Sequence, residues 1–294
     1  MEDTKKGLTR RSFIIKGSTA VGALSLATAF SAGSLINPRE VNAANLNPGT
    51  TDFPWPAAGL DVEKIRNYGF YNYQKIGGCG LGSARALIQG FLDAHAAAGS
   101  APVGWAQVPL NLYAWANGGG PSNWGTICGA IAGPVGVLNL MNLHGTLGSE
   151  VFEWYVKQSF PLALNTYNGE DLGSGTTVLP ILDGDVAGHS VPDSPLCHIS
   201  VSKWLTAANV NLNAADGSGR NLKKDRCGKV TGDTAAFTAD MLNKYFDLTL
   251  GTPAWTKPAA MAGCYDCHTS PTIKNVETKM SCTPCHTEPV SGRK

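Results

Sequence analysis

The closing stretch of the chain reads Cys264-Tyr265-Asp266-Cys267-His268 and then Cys282-Thr283-Pro284-Cys285-His286. No other feature restricts the fold so strongly. Each is a C-x-x-C-H motif, the spacing of a c-type haem attachment site. Two cysteines so spaced can form thioethers to the two vinyl groups of one haem, and the histidine that follows can reach the iron from the proximal side. The reading is two haem c groups, one bound through Cys264 and Cys267 and the other through Cys282 and Cys285, with His268 and His286 as proximal ligands. The competing readings of C-x2-C-x14-C-x2-C are a zinc ribbon and disulfides. A ribbon does not need a histidine directly after each pair, and it is usually an intracellular device. Export therefore favours haem.

The other end of the chain carries an address. Thr9-Arg10-Arg11-Ser12-Phe13-Ile14-Ile15-Lys16 has the form of a twin-arginine export signal. A moderately apolar run from Gly17 to Ile36 follows, then the small-residue processing site Val41-Asn42-Ala43. Residues 1–43 read as a signal peptide cleaved near Ala43, which places the mature chain in the periplasm. The run is interrupted by Gly22 and Gly33 and would be a poor anchor, and no later stretch is apolar for long enough to span a bilayer. The twin-arginine route carries folded proteins, typically those whose cofactor was inserted in the cytoplasm, whereas thioether-linked haem is attached after export. A chain with both signals suggests two cofactors of different kinds.

Lys and Arg number 23 against 22 Asp and Glu, so there is no electrostatic case for nucleic acid or an anionic membrane surface. Residues 44–250 read as a mostly α body with long irregular loops. Helices are expected over 61–76 behind Asp61, from Gly82 to Ala98, and from Gly129 to His144 with a kink at Pro134 and Gly136. Others are expected after a Ser149 cap, from about Ser194 to Ala208, and from Thr234 to Phe246 behind Asp233. Residues 165–195, rich in Gly, Asp, Ser and Pro, read as an irregular excursion. Residues 251–294 lose apolar periodicity and form the haem-binding segment, with little regular structure. A segment so short cannot enclose two haems, so they must pack against the body or a second subunit.

Four further cysteines, Cys79, Cys128, Cys197 and Cys227, lie in the body beside glycine, proline or expected helix starts. Helix starts favour thiolate, and neighbouring glycines let backbone amides approach cluster sulfides. The four would suit a [2Fe–2S] or [4Fe–4S] cluster. An exported protein with an even number of cysteines is by default a disulfide protein, and free thiols or zinc are the remaining readings.

Cys128-Gly129-Ala130-Ile131-Ala132-Gly133 is C-G-A-x-x-G, and this pattern resembles that of a family of redox proteins with four characteristic cysteines. Here one cysteine precedes the motif and two follow it. Joined to the paired C-x-x-C-H sites behind a twin-arginine signal, the chain resembles the split-Soret cytochromes c over most of its mature length. The resemblance implies a homodimeric dihaem cytochrome c of anaerobic respiration, with two closely stacked bis-histidine haems per subunit. It also implies an iron–sulfur cluster in the body, [2Fe–2S] being the expectation, held by Cys79, Cys128, Cys197 and Cys227. A histidine of one subunit can serve a haem of the other.

Four histidines remain for the distal positions. His189 ranks first because it sits on the excursion, and His144 follows; His198, beside Cys197, and His95, expected at the surface, rank lower. His95 and His144 each lie sixteen residues beyond a cysteine, about 24 Å along an unbroken helix. The function implied is electron transfer with redox partner proteins. A haem reductase acting on a small oxyanion or peroxide is the alternative, and a redox sensor reporting through its dimer interface is a third reading. No Ser–His–Asp set, phosphate loop or nucleotide fingerprint is present.

Overall fold

The computed structural model describes residues 52–162, 167, 180, 188–251, 264 and 279–282. The chain divides into two units, Met1–Asn45 and Leu46–Lys294, and the first lies outside the described residues, as does the expected signal peptide. The fold is mostly α. Helix α1 (Val62–Asn72) opens at Asp61, whose side chain accepts from Lys64 N at 3.0 Å, and it runs into a π-helical turn, Tyr73–Gly77. Helix α2 is Cys79–Ala97, and three 3-10 turns follow: Val103–Gln107, Leu110–Ala116 and Pro121–Asn123. Then come α3 (Gly129–Leu140), α4 (His144–Lys157), α5 (Cys197–Ala207) and α6 (Ser218–Phe246). Among the described residues, extended pairing is confined to two isolated bridges, Ile127–Leu196 and Phe160–Ser190. No described helix is long and apolar enough to cross a membrane.

Several boundaries differ from those expected. Helix α2 begins at Cys79, three residues before Gly82. The apolar segment does not run unbroken to His144: it stops at Leu140, Asn142 takes a positive φ of 56°, and His144 opens a new helix. Ser149 therefore lies inside α4 and caps nothing. Helix α6 begins at Ser218, so Asp233 is in mid-helix. Its first half is dense in charge, which hides the apolar period, and part of that charge is buried in pairs such as Lys229–Asp225 (3.2 Å). Asp233 resembles a cap by residue type, but its carboxylate is used by Arg66 and Tyr167 from other parts of the chain.

The core forms where α1, α2 and α6 pack together, with α3 against α2 and α6, and α4 outside α3. Gly69 of α1 meets Gly232 of α6 so closely that a Cβ on Gly69 would stand 2.7 Å from the Gly232 Cα. Aromatic rings close one end: Phe91 stacks on Trp105 at 3.9 Å between centroids, and Trp55 stacks on Phe246 at 4.2 Å. Such stacking adds about 1 kcal/mol per pair beyond the area buried.

Candidate metal centre

Three of the four body cysteines sit at helix starts. Cys79 is the first residue of α2, Cys128 is the N-cap of α3, and Cys197 is the first residue of α5. Cys227 is the exception, lying well inside α6. All four line one cavity of about 490 Å³, together with Tyr73, Asn117, Lys223 and Arg226. None of the four is in a disulfide; Cys79, Cys128 and Cys227 are buried and Cys197 is half-buried.

Three local devices bring them together. First, residues 125–128 pair antiparallel with 195–198: Cys128 N donates to Pro195 O at 2.8 Å and Cys197 N to Thr126 O at 2.7 Å. That places the Cys128 and Cys197 thiols beside each other. Second, α2 and α3 meet through glycines. A Cβ on Gly129 would stand 2.6 Å from both Cys79 Sγ and Gly80 N, and one on Gly133 would stand 2.5 Å from Gly80 O. The glycines of C-G-A-x-x-G thus let two cysteine-bearing helix starts touch. Third, the orphan amides of the first turn of α2 are met by a remote side chain: Asn117 Oδ1 accepts from Gly80 N (3.0 Å) and Leu81 N (3.1 Å), while its Nδ2 donates to Gly77 O (3.2 Å). Gly78 turns into the helix at φ +80°, and a side chain there would collide with Asn117.

Two of these thiols, Cys79 and Cys128, hold their protons tightly. Contact with the Cys128 thiol, and then burial, pushes Cys79 well above the usual thiol range. The Cys197 thiol, with burial, pushes Cys128 up to about 12. Thiol–thiol contact together with burial thus outweighs the helix-start effect at Cys79 and Cys128, and a metal bound there must displace their protons. The lining has cations to support that. Lys223 is held above the ordinary lysine range, chiefly by Cys227. Arg226 is buried and faces Cys227 and Cys128 as well as the Tyr155 hydroxyl. Tyr155 donates to Ser200 Oγ at 2.8 Å, and Arg226 Nη2 donates to the same oxygen at 2.8 Å.

The donor set fits an iron–sulfur cluster: four thiols around one space, cationic walls and no carboxylate in the lining. Among the described residues, no three Cys, His, Asp or Glu side chains are arranged to hold a metal ion. A space of this volume sets the thiols at its walls, which suits a group larger than one ion.

A curated relative, split-Soret cytochrome c of Desulfovibrio desulfuricans, is 29% identical over 242 residues, covering 80% of this chain and 78% of that protein. A solved structure, described as a novel iron centre in the split-Soret cytochrome c of the same organism, superposes with a TM-score of 0.61 at 27% identity, over 83% of this chain and 94% of that one. The chain is a homologue of split-Soret cytochrome c. No protein-family model matches it. The tail beyond residue 250 is only 44 of the 294 residues (294 − 250), so likeness to split-Soret cytochrome c over 80% of the chain extends through the cysteine-bearing body.

For a homologue of split-Soret cytochrome c, the haem motifs and the histidines matter next. Cys264 and Cys282 are half-buried. Cys267, His268, Cys285 and His286 lie outside the described residues. Lys279 Nζ donates to Ser149 Oγ at 2.8 Å, which ties a residue three before Cys282 to α4. His144 is exposed at the start of that helix. His95, expected at the surface, is 2% exposed; its Nε2 donates to Pro54 O (3.1 Å) and its Nδ1 is bonded to Ser100 Oγ (2.8 Å), which leaves no ring nitrogen for iron. His189 does not ride on a loose excursion: Ser190 and Phe160 exchange two backbone bonds of 3.0 Å, and His189 Nδ1 donates to Pro161 O. His198 is exposed, with Nδ1 donating to Gly125 O at 2.8 Å.

Lys223, Arg226, Tyr73, Tyr155, Ser200 and Asn117 escaped sequence reasoning. For two of them a signal was present. Arg226 precedes Cys227 directly, and Lys223 stands four residues before it, one turn away on a helix. Starting the last helix at Asp233 hid both.

Proposed function

We propose that this chain is an exported, periplasmic dihaem c-type cytochrome that transfers single electrons between redox partner proteins as a homodimer. Cys264 and Cys267 carry one haem and Cys282 and Cys285 the other, with His268 and His286 proximal. Cys79, Cys128, Cys197 and Cys227 hold an iron–sulfur cluster, read as [2Fe–2S]. The observation that carries this reading is the convergence of four free cysteines on one cation-lined cavity, in a homologue of split-Soret cytochrome c that ends in two C-x-x-C-H motifs. The iron centre described for that relative supports it.

A bound cluster supplies storage for one electron at a time. The chain's own residues do the rest. Backbone amides at three helix starts and the Lys223 and Arg226 charges favour thiolate over thiol once metal displaces the protons. Tyr73 and Tyr155 pack beside the thiols and stay protonated, their hydroxyls held well above the ordinary range mainly by burial. His144 and His189 are the distal ligand candidates; His144 has the added support of the Lys279–Ser149 contact, which ties the approach to Cys282 to α4.

The test is quantification of haem, iron and acid-labile sulfide per chain in protein purified from an anaerobic, haem-maturing host. Two haems with labile sulfide, and loss of the sulfide with intact haem absorbance in Cys79→Ser, are expected. Two haems without sulfide would remove the cluster and return the four cysteines to a disulfide or thiol role.

A further inference from the structure

Among the described residues, the buried Lys and Arg side chains are Arg66, Arg226 and Lys229. Two have a carboxylate: Arg66 faces Asp233, and Lys229 pairs with Asp225 at 3.2 Å. Arg226 is the odd one. It is 1% exposed, has no carboxylate partner, and its Nη2 donates to Ser200, to Oγ at 2.8 Å and to the carbonyl oxygen at 3.5 Å, while the guanidinium faces the Cys227 thiol. Its Nε is buried without a hydrogen-bond partner. A desolvated guanidinium with no counter-charge is strongly unfavourable, so the fold tolerates it where an anion completes the site.

The location of Arg226 says which anion. It lines the four-cysteine cavity, as does Lys223 one turn earlier on α6, and no Asp, Glu or His shares that lining. Three helix amino termini point their positive ends at the same space. We propose that Arg226 and Lys223 are the charge-compensating pair of the four-cysteine centre, setting how readily it accepts an electron and how firmly the chain retains its iron and sulfide. This rests on the cluster reading given above.

Four thiolates, two sulfides and two ferric ions sum to a dianion, which two cations balance. One electron from a ferrous haem makes one ferric ion ferrous and leaves that haem ferric. No bond forms or breaks, and the centre becomes a trianion. Fixed cations at the wall stabilise the trianion more than the dianion, so they raise the reduction potential. In the metal-free protein no carboxylate stands beside these cations in the cavity lining, so they destabilise it and favour loading.

The test uses the full-length holoprotein and three variants: Lys223→Gln, Arg226→Gln and Arg226→Lys. Potentiometric titration followed by electron paramagnetic resonance reads the centre, and haem absorbance in the same sample is the internal reference. Each Gln variant should lower the reduced-to-oxidised ratio of the centre at least tenfold at fixed potential, which is about 59 mV for one electron. The haem transitions should not move, and Arg226→Lys should recover most of the loss. A second readout needs no loaded centre. After the iron is stripped with chelator, Lys223→Gln should melt at a higher temperature than wild type, yet retain less sulfide than wild type when loaded. Lys223 is half-buried and contributes no core packing, so this variant folds even if Arg226→Gln does not. Loaded Gln variants with unmoved potentials and unchanged sulfide retention would overturn the inference and leave the cluster in place. Wild-type protein without labile sulfide would overturn the cluster and the inference together.

Discussion

Asp233 shows how much a single side chain decides here. It is fully buried, Arg66 faces it, the Tyr167 hydroxyl donates to both oxygens at 2.8 Å, and Leu162 N approaches at 3.4 Å. Burial nevertheless dominates, and the carboxyl is pushed up from 3.8 to about 6, with Arg66 offsetting only part of the desolvation. The sign of the linkage follows. Between these values the folded chain binds a proton that the unfolded chain has lost, so stability from this group falls as pH rises through that window. The magnitude is on the order of 2–3 kcal/mol. Denaturant unfolding at pH 4, 5, 6 and 7 should show wild type losing stability relative to Asp233→Asn as pH rises. A pH-independent difference between the two would mean that Arg66 and the hydrogen bonds fully offset burial.

At the scale of elements, the seam between α2 and α3 matters most. Gly129 and Gly133 are one turn apart on α3, and each would drive a Cβ into α2 backbone or a cysteine sulfur. Gly133→Ala should therefore cost about 1–3 kcal/mol, as overpacking of a tight interface does. Its second effect is more telling. Spreading the seam separates the helix starts that carry Cys79 and Cys128, so acid-labile sulfide per chain should fall while haem content stays constant. Gly145→Ala is the control, because a Cβ there meets nothing within 4 Å. Thermal unfolding alongside sulfide determination separates the seam from a general cost of losing glycine.

For the whole molecule, the question is how the tail proposed to carry two haems, too short to enclose them, is placed against the body. Lys279 bonded to Ser149 ties the approach to Cys282 to α4, whose first residue is His144. His144→Ala should convert one haem per chain from low to high spin, visible as a changed Soret band and a new high-spin resonance signal. His95→Ala should leave the haem spectrum unchanged, since both nitrogens of that ring are already bonded inside the body, and should appear only as reduced stability. An unchanged spectrum in His144→Ala would pass the distal role to His189 or to His198.

Much of this protein is legible from short range. The C-x-x-C-H pairs, the four body cysteines and the mostly helical body follow from covalent spacing and from apolar period, which need no knowledge of what lies across the core. Even the C-G-A-x-x-G glycines are visible as a pattern, though not the reason for them. What only the tertiary structure decided is where the charges go. Asp233 looks like a helix cap from its neighbours in sequence, yet it serves Arg66 and Tyr167 from distant parts of the chain. His189 looks like the tip of a loose loop, yet it is bonded to Pro161. Arg226 falls before the helix expected from Thr234, yet it is buried inside α6, bonded to Ser200, on the wall of the four-cysteine cavity. The physical reason is common to all three: a charge or ring nitrogen takes its role from its nearest partner in space, and in each case that partner is far away along the chain.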